Sequence, residues 1–186
     1  MDTKLEQLGD TELFALLNSD KKTAGKAFEE IYARYGQRVY AYCRRVLSTK
    51  EEAEDMFQET FINFYNSRKD EKNMTNLSAY LVKIARNLCL NYRRFEKKKL
   101  HFEDMAEISQ ENRYDRDELL NLIKMALELL PEEYREMFVL REYNGMSYTE
   151  IAEVTDTSVQ LVKTRLHRAK EKIRQILAPY LAELSK

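Results

Sequence analysis

Glycine and proline are scarce in this chain, four and two among 186 residues. Tight hairpins and barrels need such residues at fixed turn positions, so the scarcity argues against a strand-rich fold. Two cysteines, Cys43 and Cys89, supply neither a disulfide framework nor a metal-ligand spacing. They read as small buried apolar residues; a redox switch is the alternative, and nothing in the sequence supports it. His101 and His167 stand alone. No apolar run approaches the roughly 18 residues of a membrane span. The opening MDTKLEQLGD lacks the features of a signal peptide, so a cytoplasmic protein is expected. Metal cluster, nucleophile–base pair and phosphate-binding glycine loop are all missing, which leaves no catalytic residue, metal or cofactor to expect.

An overall excess of positive charge is missing as well: the net charge is −1. The charge is segregated instead. Lys83, Arg86, Arg93, Arg94, Lys97, Lys98 and Lys99 form one basic cluster, and Lys163, Arg165, Arg168, Lys170, Lys172 and Arg174 form another. Between them lies an acidic stretch with Glu103, Asp104, Glu107, Glu111, Asp115, Asp117 and Glu118. Local basic patches serve nucleic-acid binding even when the total is neutral. A charged fraction of 34% beside an apolar fraction of 44% suits amphipathic helices with solvated outer faces.

The apolar spacing predicts an all-α chain. Asp10 is placed to cap a short helix that buries Leu13, Leu16 and Leu17. A long helix over 22–47 carries Phe28, Tyr32, Tyr35, Val39, Tyr42 and Val46 as one stripe. Ser48 and Thr49 precede Glu51 and Glu52 at capping-box spacing and open a third helix. Its inner face is Ala53, Met56, Phe57, Thr60, Phe61 and Phe64. After a polar loop over 67–75, a fourth helix from about Asn76 aligns Leu81, Ile84, Ala85, Leu88 and Tyr92 and ends near Lys98. Residues 99–114 read as an acidic linker. A helix with Leu119, Leu122, Ile123, Ala126 and Leu130 follows. Pro131 then stands as the first residue of the next helix, which carries Tyr134, Met137, Phe138 and Leu140 and ends at Asn144 and Gly145. The architecture expected is two small helical domains, 1–98 and 115–186, joined by that linker.

The C-terminal part carries the sharpest local pattern. Ser147-Tyr148-Thr149-Glu150 is a capping box that opens a short helix. Thr155 and Asp156 turn the chain. Thr157-Ser158-Val159-Gln160 is a second box, opening a long helix. Two helices joined by so tight a turn form a helix-turn-helix. At about 100° per residue, Val159, Val162, Leu166, Ala169, Ile173 and Ile176 of the second helix face inward. Gln160, Thr164, His167, Arg168 and Glu171 face outward, flanked by Lys163, Arg165 and Lys170. A major groove accepts such a helix, with the polar residues at base edges and the flanking cations at phosphates. A merely solvated polar face is the alternative, and the paired capping boxes weigh against it. Leu161 also points outward, either to a thymine methyl or to solvent.

Two N-terminal groups stand out. Asp55, Gln58, Glu59 and Ile62 lie opposite the apolar face of the third helix, as a protein-docking surface would or as a solvated face with one stray apolar residue. In the fourth helix Tyr80, Asn87 and Tyr92 stand among cations. Aromatics beside cations suit unpaired bases, which stack at about 1–3 kcal/mol each. The tyrosines are equally compatible with core packing.

The residues just described carry a resemblance. The run Glu52-Ala53-Glu54-Asp55-Met56-Phe57-Gln58-Glu59-Thr60-Phe61 resembles the second conserved region of bacterial sigma factors. Ala79-Tyr80-Leu81-Val82-Lys83-Ile84-Ala85-Arg86-Asn87 resembles the melting and −10-reading segment of their extracytoplasmic-function (ECF) group. Leu130-Pro131-Glu132-Glu133-Tyr134-Arg135 and Met146-Ser147-Tyr148-Thr149-Glu150-Ile151-Ala152 resemble the fourth region. Val162-Lys163-Thr164-Arg165-Leu166-His167-Arg168-Ala169-Lys170 resembles the −35 recognition helix. These segments span nearly the whole chain in the right order, and the small size points to the ECF group.

The resemblance implies a factor that binds core RNA polymerase, at its beta-prime and beta subunits, and directs initiation at promoter DNA. Asp55, Gln58, Glu59 and Ile62 would meet the polymerase, the first three at the clamp helices of beta-prime. Tyr80, Lys83, Arg86, Asn87, Tyr92, Arg93 and Arg94 would form the −10 surface, with Asn87 helping to capture a flipped base. Gln160, Lys163, Thr164, Arg165, His167 and Arg168 would form the −35 surface. The linker would thread the polymerase toward its RNA exit path, and factors of this group are often held by an anti-sigma partner. Two departures stand in the sequence: the group usually has tryptophan at the place of Tyr80 and small residues at those of Gln160 and Leu161. The main rival is a stand-alone helix-turn-helix regulator, against which the surface around Asp55 speaks. An enzyme lacks a chemical constellation, and a pure interaction module does not account for the basic clusters.

Overall fold

A computed structural model describes residues 5–69, 74–100 and 118–184 of the chain. Every regular element among them is helical: a single 3₁₀ turn, then α1 (Asp10–Leu16), α2 (Lys21–Val46), α3 (Lys50–Ser67), α4 (Leu77–Leu100), α5 (Glu118–Glu128), α6 (Glu132–Phe138), a π-helical turn (Val139–Tyr143), α7 (Tyr148–Thr155) and α8 (Val159–Leu184). Two compact units make up the chain, one around α2 and one around α8. The acidic linker expected over 99–114 lies, from residue 101 onward, outside the described residues, as does the middle of the loop expected over 67–75.

In the first unit α1 opens at Gly9 rather than at Asp10. Gly9 is the cap residue, and its N–H donates to Glu12 Oε2 at 2.8 Å. Asp10, one residue inside, makes longer-range bonds: its carboxylate accepts from the Tyr35 hydroxyl on α2 and from the N–H of Leu77, which begins α4, at 2.8 Å. Helix-initial N–H groups have no intrahelical acceptor, so a carboxylate from another element is well used there. Burial, with the hydrogen bond to Asp10 added, pushes the Tyr35 phenol up to about 12.

Asp20 caps α2, accepting from the N–H groups of Lys22 and Thr23 at 3.0 and 3.2 Å. The deepest line on α2 is Ala24, Ala27, Ile31, Val39, Tyr42 and Cys43. The expected stripe is therefore turned: Val39 and Tyr42 are fully buried, while Phe28, Tyr35 and Val46 are half-buried and Tyr32 is 45% exposed. Gly36 of α2 faces Phe57 of α3, and aromatics of both helices line that contact. Tyr32 meets Phe57 and Phe61 of α3 with ring centroids 5.6 and 4.8 Å away, and Phe28 meets Phe61 at 6.0 Å. Such tilted and edge-on pairs add to the area they bury.

The predicted capping box opens α3, with Thr49 as the cap. Thr49 Oγ1 accepts from the Glu52 N–H at 3.2 Å, and Glu52 Oε2 accepts from the Thr49 N–H at 3.0 Å. Asn76 caps α4 through its side-chain oxygen and the N–H of Ala79, at 2.9 Å. Leu77, Leu81, Val82, Ala85 and Cys89 form the buried side of α4, with Ile84, Leu88 and Tyr92 at its margin. Cys43 and Cys89 are both fully buried with their sulfurs 3.8 Å apart. The contact with Cys43 and burial push the Cys89 thiol up.

In the second unit α8 packs along α5 and α6. Ala126, Leu127 and Leu130 meet Ala169, Ile173 and Leu177, with Leu122, Ile123, Tyr134, Phe138 and Ile176 at the edge. Pro131 is the cap of α6 rather than its first residue, and its carbonyl accepts from the N–H groups of Tyr134 and Arg135 at 3.0 Å each. Its missing N–H costs nothing there. The π turn after α6 was not foreseen. It lets the adjacent Val139 and Leu140 both bury beside Met137. It closes through Asn144 N–H to Val139 O at 3.1 Å, and Gly145 then turns the chain at φ 64°. Only glycine adopts that conformation without cost.

Candidate nucleic-acid interface

The helix-turn-helix is built as its caps require. Ser147 caps α7: its hydroxyl accepts from the Glu150 N–H at 3.2 Å, and Glu150 Oε2 accepts from the Ser147 N–H at 2.7 Å. Asp156 then takes a left-handed φ of 51°, a conformation that Asp tolerates better than most residues. Ser158, not Thr157, caps α8, its hydroxyl accepting from the Leu161 N–H at 3.2 Å. The shift by one residue follows from the left-handed turn, after which the Thr157 N–H still reaches back to Ala152 O at 3.0 Å.

On α8 the two faces separate as the spacing predicts. Val162, Leu166, Ala169 and Ile173 are buried, and Gln160, Leu161, Lys163, His167 and Arg168 are exposed. Thr164 is half-buried and its hydroxyl donates to Gln160 O at 2.9 Å. The cations are not equivalent. Arg165 Nη2 is 2.8 Å from Glu133 Oε2, and Lys170 Nζ is 2.7 Å from Glu142 Oε1. Arg168 Nη1 donates to the Tyr134 hydroxyl at 3.4 Å, and that contact favours its charged form further. Lys163 lies 6.0 Å from the centroid of Tyr148, whose ring also carries Arg141 at 4.9 Å. Tyr148 was not singled out in the sequence; its position at the start of α7 is the signal that could have marked it.

On α3, Asp55, Gln58 and Ile62 are exposed and Glu59 is half-buried. At steps of three and four residues they form one stripe, on which Ile62 is 53% exposed. On α4, Asn87 and Arg94 are exposed, and Lys83, Arg86 and Arg93 are half-buried. The two tyrosines turn toward α3. Tyr80 shares a hydrogen bond of 3.0 Å with Ser67 Oγ and lies edge-on to Phe64 at 6.2 Å. Tyr92 donates to Glu52 Oε1 at 3.2 Å. Both are half-buried, so each contributes to packing and offers only part of its ring outward. Two residues that sequence reasoning passed over complete the exposed line of α4: Asn91 and Phe95, at four-residue steps from Asn87. Phe95 is 67% exposed.

The arrangement offers three surfaces: an acidic–apolar stripe and a basic–aromatic line on the first unit, and a polar, cationic helix on the second. Among the described residues no group of three His, Cys, Asp or Glu side chains is placed to hold a metal, and no helix is long and apolar enough to cross a membrane.

Known proteins share both units. Residues 31–99 match the family model for Sigma-70 region 2, and residues 120–173 match that for Sigma-70, region 4. The ECF RNA polymerase sigma factor SigW of Bacillus subtilis (strain 168) is 32% identical over 174 residues, covering 84% of this chain and 92% of that one. The ECF RNA polymerase sigma-E factor of Haemophilus influenzae is 30% identical over 192 residues, covering 95% and 99%. Among solved structures, the sigma factor RpoE of Bartonella quintana, in complex with the anti-sigma factor NepR, has a TM-score of 0.73 at 23% identity, covering 82% of this chain and 98% of that one; it speaks to the fold.

Proposed function

We infer that this chain, which belongs to the ECF sigma-factor family of RNA polymerase, binds core RNA polymerase and directs promoter-specific transcription initiation. The observation that carries the reading is the pairing of two matched regions with three chemically suited surfaces: the acidic stripe and basic line of the first unit, and the helix-turn-helix of the second.

In this reading residues 1–98 dock on the polymerase and handle the −10 element, residues 99–114 connect, and residues 115–186 bind the −35 element. Asp55, Gln58 and Glu59 supply acceptors and Ile62 an apolar anchor for the clamp of the beta-prime subunit; the beta subunit is the second contact. Lys83, Arg86, Arg93 and Arg94 hold phosphates. Asn87 hydrogen-bonds an unpaired base, and Asn91 and Phe95 extend that line. Tyr80 and Tyr92 shape its wall. Extruding a base costs a few kcal/mol, which stacking at about 1–3 kcal/mol per base can offset without ATP. On α8, Gln160, Thr164, His167 and Arg168 meet base edges, Lys163 flanks them at the phosphates, and Arg165 borders the same face in its pair with Glu133.

The chain is a DNA-binding initiation factor without catalytic groups of its own, acting in the cytoplasm where polymerase and promoter are. An anti-sigma factor is a fitting partner, as in the Bartonella complex. Size-exclusion chromatography with core polymerase, followed by run-off transcription, tests the reading. A stoichiometric complex with promoter-dependent transcripts is expected. A folded protein that binds promoter DNA alone and ignores its cognate polymerase would overturn it.

A further inference from the structure

Two adjacent residues of α6 grip two arginines that stand one turn apart on α8. Glu133 holds Arg165 at 2.8 Å, and Tyr134 holds Arg168 at 3.4 Å. The Glu133 side chain is 49% exposed and that of Arg165 24% exposed. An ion pair this open to water adds little to stability, so its effect is felt in the field of the face it borders. That face is the one read above as entering DNA, and the inference rests on that reading.

A carboxylate beside a DNA-facing helix repels phosphate. Paired with Arg165, Glu133 is neutralised. The guanidinium cannot satisfy a phosphate and Glu133 together without leaving one of them undercompensated. We propose that Glu133 is a specificity-determining residue that withholds Arg165 from the DNA backbone. Arg165 neutralises Glu133 in direct contact, while Lys163 lies over the Tyr148 ring and Arg168 bonds the Tyr134 hydroxyl, feeling Glu133 and Glu171 only through their charge, so both stay within reach of DNA. An unpaired Arg165 would attract any phosphate equally and raise promoter and non-promoter affinity together. Withholding it lets base contacts carry a larger share of the difference between sites.

The test uses holoenzyme assembled from this chain and core polymerase, binding promoter and non-promoter duplexes over a salt series. Glu133→Gln releases Arg165: both affinities rise, the slope of log affinity against log salt steepens by about 0.9, and the promoter preference falls several-fold. Arg165→Gln uncovers Glu133 and weakens both DNAs several-fold. Adding Glu133→Gln to Arg165→Gln restores both affinities to near wild type. A defect in Arg165→Gln that the second change leaves unrepaired makes Arg165 a direct phosphate ligand and overturns the inference. An unchanged slope in Glu133→Gln overturns it as well. If Arg165→Gln melts early, the exchange of Glu133→Lys with Arg165→Glu re-forms the pair; near-wild-type binding is expected, and its loss counts against the inference. Wild-type holoenzyme that binds no promoter would overturn the functional reading itself. Normal wild-type binding without rescue sinks this inference alone.

Discussion

The Tyr35 hydroxyl donates to the carboxylate of Asp10, tying α2 to the first turn of α1, while the same carboxylate receives the Leu77 N–H at the start of α4. One acid thus holds three helices. Burial and this bond push the Tyr35 phenol up to about 12, above the value of about 10 of a free tyrosine. The proton is therefore held more tightly in the folded state. The stability it lends is fully present below about pH 10 and is lost as pH rises from there through about 12. Wild type should exceed Tyr35→Phe in urea-unfolding stability by about 1 kcal/mol near neutrality, and that gap should close across this window. A gap that stays constant into alkali would refute the assignment.

The cap of the recognition helix gives a second test. Ser158→Ala removes the hydroxyl that receives the Leu161 N–H and should cost about 1 kcal/mol. At the preceding turn φ is 51°, so Asp156→Gly should cost less than a β-branched replacement there. Asp156→Val should cost about 1–2 kcal/mol. Denaturant midpoints read all three. A harmless Asp156→Val would mean that the turn is made differently.

Much of this was legible in the sequence because it depends on local rules. The Thr49–Glu52 and Ser147–Glu150 boxes name their own helix starts, and the inward face of α8 follows from its period. What escaped depends on partners distant in sequence. Asp10 looked like a cap because nothing nearby reveals that Tyr35 and Leu77 claim its carboxylate. The stripe on α2 was turned because Ala24 and Ala27 bury more deeply than Tyr32, which lies at the margin against Phe57 and Phe61 of α3. The cap of α8 slipped from Thr157 to Ser158 because the left-handed Asp156 uses up a residue. The grip of Glu133 on Arg165 spans 32 positions and has no sequence signature.

The stripe on α3 should matter for polymerase and for little else. Asp55 and Ile62 are exposed and Glu59 is half-buried, so their loss leaves no cavity. Asp55→Ala with Glu59→Ala should weaken core-polymerase binding by roughly tenfold or more, equal to about 1.4 kcal/mol, with unchanged helicity by circular dichroism. Ile62→Ser should act in the same direction. Undiminished affinity in a competition assay would move the docking site elsewhere.

Arg168 on α8 is exposed and aimed by the Tyr134 hydroxyl. Arg168→Ala should abolish −35-dependent transcription while leaving polymerase affinity intact. A lost bidentate base contact of about 1–3 kcal/mol would appear as a relaxed preference at one position of the −35 element. Tyr134→Phe removes only the aiming hydroxyl and should blunt that same position less. If Arg168→Ala instead weakened all sequences equally and left base preference untouched, Arg168 would be a phosphate contact.

The α4 line separates base reading from stacking. Asn87 offers an amide with donor and acceptor, and Phe95 offers an exposed ring two turns further on. An amide can discriminate between bases, whereas a ring stacks on any of them. Holoenzyme binding to single-stranded −10 oligonucleotides should divide the two. Asn87→Ala should lose discrimination at one base, at roughly tenfold or more for a contact of about 1–3 kcal/mol. Phe95→Ala should lower affinity for all sequences by a similar factor while keeping their order. Full affinity in Phe95→Ala would show that its exposure serves some contact other than base stacking.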